Sequence, residues 1–335
     1  MKKRWLNILN FFVFLSITVF VVYLVFRGIP WVDFVNKLRN ANYWYVFISG
    51  LSGLIAFYFR GIRWRLMLEP LGHKPPNKDM LNAVAVGYLA NMAIPRFGEV
   101  VRCAALNKTN KVPVDQSFGT VITERLIDLI VLFILLFFVF IFKINFFGKF
   151  FAEKVFTPLG NKFADHGYLL IILGVIIVLG IFVFYLLYKK FPENKIIHWI
   201  KDKIWGMKNG FISILKMEKK WEFLFHTFMI WLFYFIMAYV VFFAIPQTKD
   251  LTPIDALFVL VAGSFGMVAP VQNGFGAYHW IVSLALMMYG LTKEDGLLFA
   301  TLLHETQVLM VLLVGPVAGY LVFIRKRKSI ANEKV

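Results

Sequence analysis

Long apolar runs are the feature that most limits what this chain can fold into. Several uninterrupted runs approach the roughly 20 residues that a helix needs to cross the hydrocarbon core of a bilayer. With 60% hydrophobic and 16% charged residues, the chain is too apolar for a soluble globular protein. The sequence therefore predicts an all-α polytopic membrane protein, with residues 1–335 forming one integral membrane domain.

The net charge of +17 arises from 36 lysines and arginines against 19 aspartates and glutamates. These basic residues fall between apolar runs, where they act as topology signals and contacts for lipid headgroups. No nucleic-acid-binding module accompanies them, so nucleic acid is not an expected partner. The one cysteine, Cys103, excludes an intrachain disulfide and a cysteine-based metal site, and we expect neither a metal nor a cofactor.

One apolar run is interrupted at a depth where interruption is costly. Residues 80–94, which include Asn91, are apolar up to Pro95, and the apolar pattern resumes at 98–106. Each piece is too short to span, which predicts two half-helices meeting at a tip, as in a re-entrant or broken helix. An ordinary span kinked by the proline is the alternative.

Three charged side chains lie in this interruption: Arg96, Glu99 and Arg102. Charges at membrane depth are tolerated only in a cavity or against protein, and they mark candidate functional sites. The free backbone N–H groups of the tip, together with Arg96 and Arg102, would favour an anion such as a lipid phosphate.

Charges also flank the interruption. Arg60 and Arg63 end the second apolar run, either as a cytoplasmic topology anchor or as a contact for an anionic headgroup, and Arg60 could form a cation–π pair with Trp64. Residues 117–142 begin with a polar stripe at helical spacing, which should face the protein interior and supply counter-ions for Arg96 or Arg102. The charged members of this segment are Glu124, Arg125 and Asp128.

The same pattern recurs late in the chain. Residues 254–269 end at Pro270, and a second short apolar run follows, reaching Tyr289. Phe299, Thr301 and Glu305 then align with Phe118, Thr120 and Glu124. The match predicts a repeat of about 43–142 in about 222–324, inverted so that two tips meet near the midplane. The candidate site residues of the second half are Gln272, Asn273, Gly274, Gly276, His279, His304 and Glu305.

Charge distribution predicts the topology. The basic segments should be cytoplasmic, which places both termini on that side and requires about six spans besides the two re-entrant helices. A short interfacial helix is expected at 27–42, and a basic amphipathic helix at about 189–221. The first five spans are predicted at 5–26, 43–59, 117–142, 168–188 and 222–245, with an external loop at 143–167 and a basic tail at 325–335.

Four motifs resemble those of the lysylphosphatidylglycerol synthase transmembrane-region family, also called the flippase-like domain family. They are the RxxRW motif at 60–64, the PxRFGExxR run at 95–102, the ERLID run at 124–128 and the PxxxGFGAxH run at 270–279. The resemblance implies a helical fold with re-entrant segments. The best understood members of this family flip aminoacylated phosphatidylglycerol across the plasma membrane, and others handle lipid-linked sugars.

The chain departs from the family pattern in its second half. His279 stands where a glutamate is usual, and His304 with Glu305 where an arginine is frequent, so this half is expected to recognise a different headgroup. Each histidine is either a hydrogen-bonded packing residue or a group that couples transport to protons. Synthases of the family carry a large soluble C-terminal domain, whereas this chain ends at Val335, so we expect no aminoacyl-lipid synthesis.

The sequence as a whole predicts a plasma-membrane lipid flippase and not an enzyme. Its expected substrate is an anionic phospholipid or a polyprenyl-phosphate-linked lipid, with Arg96 and Arg102 holding the phosphate. A membrane-embedded lipid-modifying transferase using Glu124, Asp128 and His304 is one alternative. A scaffold for a cell-envelope biosynthetic enzyme is the other, and such an enzyme is also a possible partner of the flippase.

Overall fold

The fold is helical throughout the part of the chain that the computed structural model describes, residues 2–144, 146 and 217–325, where no strand occurs. This confirms the predicted fold class. Ten α-helices follow in chain order: α1 (Lys2–Phe26), α2 (Trp31–Arg39), α3 (Tyr43–Leu68), α4 (Asn77–Ala93), α5 (Gly98–Asn110), α6 (Val114–Phe142), α7 (Lys220–Val241), α8 (Pro253–Gly266), α9 (Ala277–Met287) and α10 (Lys293–Gly319).

Four of the described helices are long and apolar enough to cross a membrane: α6, and α3, α7 and α10 with the short turns that continue them. A bent pair, Phe12–Phe26 with Trp31–Arg39, turns by 93° and would make a fifth. Of the predicted loop at 143–167, the structure describes residues 143, 144 and 146. The predicted span at 168–188 lies wholly outside the described residues. The basic helix at 189–221 lies outside them up to residue 216. The total of six spans therefore stays a prediction.

Both interrupted regions and the helices packed around them belong to one compact unit, Met1–Leu136 with Met217–Val335. Of a second unit, Phe137–Lys216, the structure describes the end of α6 and the adjacent residues 143, 144 and 146.

Both predicted interruptions are breaks between short helices. The first separates α4 from α5, and Ile94 before Pro95 is extended (φ −136°, ψ 124°) because a proline disfavours helical geometry in the residue preceding it. The second separates α8 from α9. The order long, short, break, short, long occurs in α3–α6 and again in α7–α10, as a repeat would require. Whether the halves are inverted stays a prediction.

Each pair of short helices is packed closely through glycine. A Cβ on Gly98 of α5 would collide with the carbonyl oxygen of Gly87 in α4. In the second half, a Cβ on Gly266 would lie 2.8 Å from the Cα of Tyr278 in α9. Small residues allow helix backbones to approach in this way inside membranes. The two arms of each broken helix are therefore held against each other.

Two hydrophobic clusters hold the helices together. Trp64, Met80 and Leu106 lie in the cluster that joins α3, α4, α5 and α6 with the end of α10. Phe242 and Phe299 lie in the cluster that joins α7, α8, α9 and α10, with parts of α1 and α2. α10 also packs against α4, and α3 packs along α7, so the halves are in direct contact.

Candidate functional site

The two breaks require left-handed backbone conformations. Arg96 has φ 61° in the first, and in the second Asn273 has φ 46°, with Gly274 at 76° and Gly276 at 78°. Glycine adopts this region freely and asparagine tolerates it, but a left-handed arginine costs about 1–3 kcal/mol. Such a residue persists only where the surrounding structure fixes it, which marks the first break as a candidate functional position.

The tips of the two breaks touch each other. The Arg96 guanidinium donates a hydrogen bond from Nη2 to the carbonyl oxygen of Val268 at 2.7 Å. In the opposite sense, the Gln272 amide donates from Nε2 to the carbonyl oxygen of Ala93 at 2.8 Å. Each tip thus satisfies a backbone acceptor of the other, and the predicted meeting of the tips is observed.

A cavity of about 700 Å³ opens beside the tips. Its polar wall comes from both breaks, from the helical arms beside them and from four neighbouring helices, α3, α6, α7 and α10, while aromatic and aliphatic side chains form the remainder. The charged lining residues are Arg60, Arg96, Glu99, Arg125 and Asp128. A volume of this size is typical of sites that enclose a small molecule or part of a larger one.

A network of three arginines and two carboxylates extends inward from the polar wall, of which Arg60 and Asp128 are part. Glu124 Oε1 pairs with Arg60 Nη2 at 2.8 Å and with Arg63 Nη2 at 3.3 Å, and Glu124 Oε2 pairs with Arg102 Nη2 at 2.8 Å. Asp128 receives Arg63 Nη1 at 2.7 Å and Arg60 Nη2 at 3.0 Å. Three guanidinium groups against two carboxylates leave one positive charge in excess.

Trp64 fixes the far side of this network. Its indole Nε1 donates to the hydroxyl oxygen of Thr120 at 2.9 Å, and the Arg102 guanidinium lies 4.6 Å from the centre of its ring. The ring therefore pairs with Arg102 instead of the predicted Arg60, which lies over Tyr88 at 5.9 Å. The RxxRW motif at the end of α3 faces inward, since four of its five positions, Trp64 included, are buried.

The predicted roles of the arginines change accordingly. Arg60 and Arg63 are buried and ion-paired. Arg63 does not line the cavity and is neither a surface anchor nor a headgroup contact, whereas Arg60 lines the cavity. Arg102 was expected to hold phosphate, but Glu124 and Trp64 occupy its guanidinium and it does not line the cavity. Arg96 does line the cavity, as predicted.

The two remaining arginines of the cavity differ in their partners. Arg125 is 46% exposed and donates from Nη2 to Glu99 Oε1 at 2.8 Å. Arg96 makes no ion pair within the described residues, and its contact is the carbonyl of Val268. A ligand anion would therefore find Arg96 uncompensated, whereas Arg125 would have to share its charge with Glu99.

In the second half, two candidates line the cavity and the others lie behind it. Asn273 and Gly274 are at the cavity wall. His304 donates from Nε2 to the Asn273 carbonyl at 2.9 Å, and its Nδ1 lies 3.2 Å from Glu305 Oε1. His279 Nε2 lies 3.5 Å from the same oxygen. Gln272 is buried against the first tip, and Gly276 packs against α1.

Fourteen of the sixteen predicted residues form three groups, and Gln272 and Gly276 lie outside them. Those at the cavity are Arg60, Asn91, Arg96, Glu99, Arg125, Asp128, Asn273 and Gly274. Those in the network behind it are Arg63, Arg102 and Glu124. Those in the cluster at α9 and α10 are His279, His304 and Glu305.

Sequence reasoning missed several cavity residues on α4, α7 and α10. Tyr88, Tyr234 and Gln307 line the cavity, and Arg60 Nη1 donates to the Tyr234 hydroxyl oxygen at 3.2 Å. All three are polar side chains within largely apolar helices, and polar groups at membrane depth are the signal that could have identified them.

These features define a multi-pass helical membrane protein with a charged cavity between two broken helices. The chain belongs to the family described as lysylphosphatidylglycerol synthase TM region, whose model matches residues 8–315. The UPF0104 membrane protein MJ1595 of Methanocaldococcus jannaschii is 23% identical over 327 residues, 90% of each chain. Glycosyltransferase AglD of Haloferax volcanii is 25% identical over 117 residues, 35% of this chain and 19% of that protein. No solved structure matches.

Proposed function

We propose that this protein moves an anionic lipid between the leaflets of the plasma membrane, with both of its own termini cytoplasmic. The substrate would be a phospholipid or a polyprenyl-phosphate-linked lipid. The observation that carries the proposal is the charged cavity of about 700 Å³ at the contact of two broken-helix tips. Broken helices that expose polar backbone and charge at membrane depth are typical of transporter substrate sites.

The sign of the charge favours an anion. Arg96 enters the cavity without a carboxylate partner among the described residues, and the network behind the wall contributes one further positive charge. A guanidinium binds phosphate through two parallel hydrogen bonds, which gives both affinity and orientation. Arg96 would hold the phosphate, and Arg125 would adjust to it by loosening its pair with Glu99.

The apolar wall suits the remainder of a lipid. Phe57, Leu132, Trp231 and Met310 line the same cavity as the charges. Acyl or prenyl chains would contact these side chains while the headgroup faces the arginines. A free soluble anion would leave this surface wet, so the amphipathic lining supports a lipid substrate.

Transport fits the cavity better than catalysis does. Its two carboxylates are committed, Glu99 to Arg125 at 2.8 Å and Asp128 to Arg60 and Arg63 at 2.7–3.0 Å. A general base must be free to take a proton from its substrate, and paired carboxylates are poorly placed for that step. We therefore propose a transporter and not an enzyme.

The similarity to a glycosyltransferase bears on the headgroup. The match to glycosyltransferase AglD covers 35% of this chain, and it favours a lipid that carries a sugar among the anionic candidates. A cell-envelope biosynthetic enzyme that makes or uses such a lipid would be the natural partner. Asn273 and Gln307, which also line the cavity, offer neutral donors and acceptors suited to hydroxyl groups.

The test measures lipid translocation in proteoliposomes. Fluorescent phosphatidylglycerol, a fluorescent polyprenyl-phosphate sugar and fluorescent phosphatidylcholine would be reconstituted separately, and outer-leaflet label bleached chemically. We expect transfer of one anionic lipid and roughly a tenfold or greater slowing in Arg96→Ala, since a charged hydrogen bond contributes about 1.5–3 kcal/mol. Arg39→Ala is the matched control, because Arg39 is an exposed arginine outside the cavity. Equal transfer by Arg96→Ala and the wild type would refute the site.

A further inference from the structure

A second cluster of chemical groups lies outside the cavity, at the contact of α9 and α10. His279 Nε2 and His304 Nδ1 both face Glu305 Oε1, at 3.5 and 3.2 Å. The three candidate ligand atoms lie within 4.8 Å of one another, and both histidines are buried. None of the three residues lines the cavity. The proposed transport site leaves this cluster without a role.

The hydrogen bonds of His304 identify which of its nitrogens carries a lone pair. A carbonyl oxygen only accepts, so Nε2 must carry the proton that it donates to the Asn273 carbonyl at 2.9 Å. Nδ1 of the neutral ring is then an acceptor, and it faces the carboxylate oxygen of Glu305, another acceptor, at 3.2 Å. Two acceptors at this distance repel unless a proton or a metal cation lies between them.

We propose that this cation is a divalent transition-metal ion, with Zn²⁺ the best match, bound by His279 Nε2, His304 Nδ1 and Glu305 Oε1. Ligands bound at about 2.0–2.1 Å in a tetrahedral site lie about 3.3–3.4 Å apart, and the two separations to Glu305 bracket that value. Two imidazoles and a carboxylate form a common zinc donor set, and they suit Fe²⁺, Co²⁺ and Mn²⁺ as well. The Glu305 side chain is 36% exposed, which leaves room for water as a fourth ligand.

The bond from His304 to Asn273 has the form of an outer-shell contact. Histidines that bind metals usually donate their second N–H to a carbonyl or carboxylate, which fixes the tautomer and orients the ring. Here the acceptor belongs to the left-handed residue at the second tip, and Asn273 also lines the cavity. A bound metal would therefore join α9 and α10 and hold the tip in place, which goes beyond the transport function proposed above.

Metal content and metal-dependent stability test the site directly. The protein would be purified with a tag that contains no histidine, stripped with chelator, incubated with Zn²⁺ and desalted, and its zinc counted by mass spectrometry. We expect about one zinc ion per chain and a raised melting temperature, because a ligand that binds the folded state stabilises it. In His279→Gln/His304→Gln and in Glu305→Gln, zinc content should fall at least tenfold and the melting shift should vanish.

His226→Gln is the matched control. His226 is another buried histidine in a long apolar helix, and its Nε2 lies 3.7 Å from Glu222, so it offers a two-residue pair and not a three-ligand set. This variant should keep its zinc. Equal zinc content in the wild type and the double variant would overturn the proposal, as would absence of uptake, which would assign the positive charge to a protonated histidine.

A measurement on the wild type alone covers the case in which the variants fail to fold. Co²⁺ in a four-coordinate site of nitrogen and oxygen ligands gives visible absorption bands far stronger than those of six-coordinate Co²⁺. The proposal predicts such bands on Co²⁺ addition and their loss on adding equimolar Zn²⁺. A spectrum identical to that of Co²⁺ in buffer would overturn it.

Discussion

The two broken helices share a backbone design but differ in chemistry. Each consists of short helical arms packed through glycine, with a left-handed tip between them, and the tips exchange hydrogen bonds. Around the first, arginines and carboxylates form ion pairs, whereas around the second there are amides, two histidines and one carboxylate. The backbone therefore builds the site, while side chains from neighbouring helices decide what each half does.

The long helices that follow the two broken helices, α6 and α10, show the same difference in side-chain chemistry. Thr120 and Glu124 of α6 occupy positions that align with Thr301 and Glu305 of α10. Thr120 accepts from Trp64, and Glu124 is fully buried among three arginines. Thr301, like Thr120, donates to its own helix, whereas Glu305 differs from Glu124 in being partly exposed beside two histidines. Identical residues at matching positions therefore have different roles.

The largest effect is expected from Glu124→Gln. Removing this carboxylate leaves Arg60, Arg63 and Arg102 buried with Asp128 as the remaining acid of the network. Breaking a buried ion pair in this way typically costs about 3–5 kcal/mol. The free energy of unfolding in detergent, measured by titration with a denaturing surfactant, should fall by that amount.

Glu305→Gln is the matched change in the second half. Its carboxylate is 36% exposed and no arginine contacts it among the described residues, so its loss in metal-free protein should be much smaller. If both variants lose the same free energy of unfolding, the ion pairs of the first half do not distinguish it from the second.

Glycine substitutions test the part of the design that the halves share. In Gly98→Ala the new Cβ would meet the Gly87 carbonyl, and in Gly266→Ala it would meet the backbone of Tyr278 at 2.8 Å. Overpacking of this kind costs about 1–3 kcal/mol, so both variants should unfold more easily by similar amounts.

Gly119→Ala provides the control for this pair. Its Cβ would meet nothing within 4 Å, and alanine favours the helix, so its unfolding should be unchanged or slightly harder. A loss in one half alone would show that only that broken helix depends on close packing of its arms.

The sequence predicted the backbone better than the arrangement of charges. Pro95 and the glycines at 274 and 276 are local signals in apolar runs, and both breaks lie where these residues indicate them. The partners of Arg102 and Trp64 depend on how helices far apart in the chain rotate against each other. Periodicity shows that Glu124 faces inward, but not which of several arginines it meets.

The smallest effect is expected at the contact between the tips. Gln272→Leu removes the hydrogen bond to the Ala93 carbonyl, and one neutral hydrogen bond contributes about 0.5–1.5 kcal/mol to stability. Leucine keeps a similar volume, so the change isolates the polar contact. Unfolding by denaturing surfactant, compared with the wild type, would measure the loss.

Combining Gln272→Leu with Arg96→Ala asks whether the tips dock as one unit. Arg96 makes the other hydrogen bond between the tips, to the carbonyl of Val268. If either substitution separates the tips, both hydrogen bonds are lost, and the second substitution has no further bond to remove. The double variant should then lose less stability than the sum of the single losses, by more than the roughly 0.5 kcal/mol within which independent sites add. Additive losses would mean that each tip is held in place by its own half, so that the two broken helices are stable independently of each other.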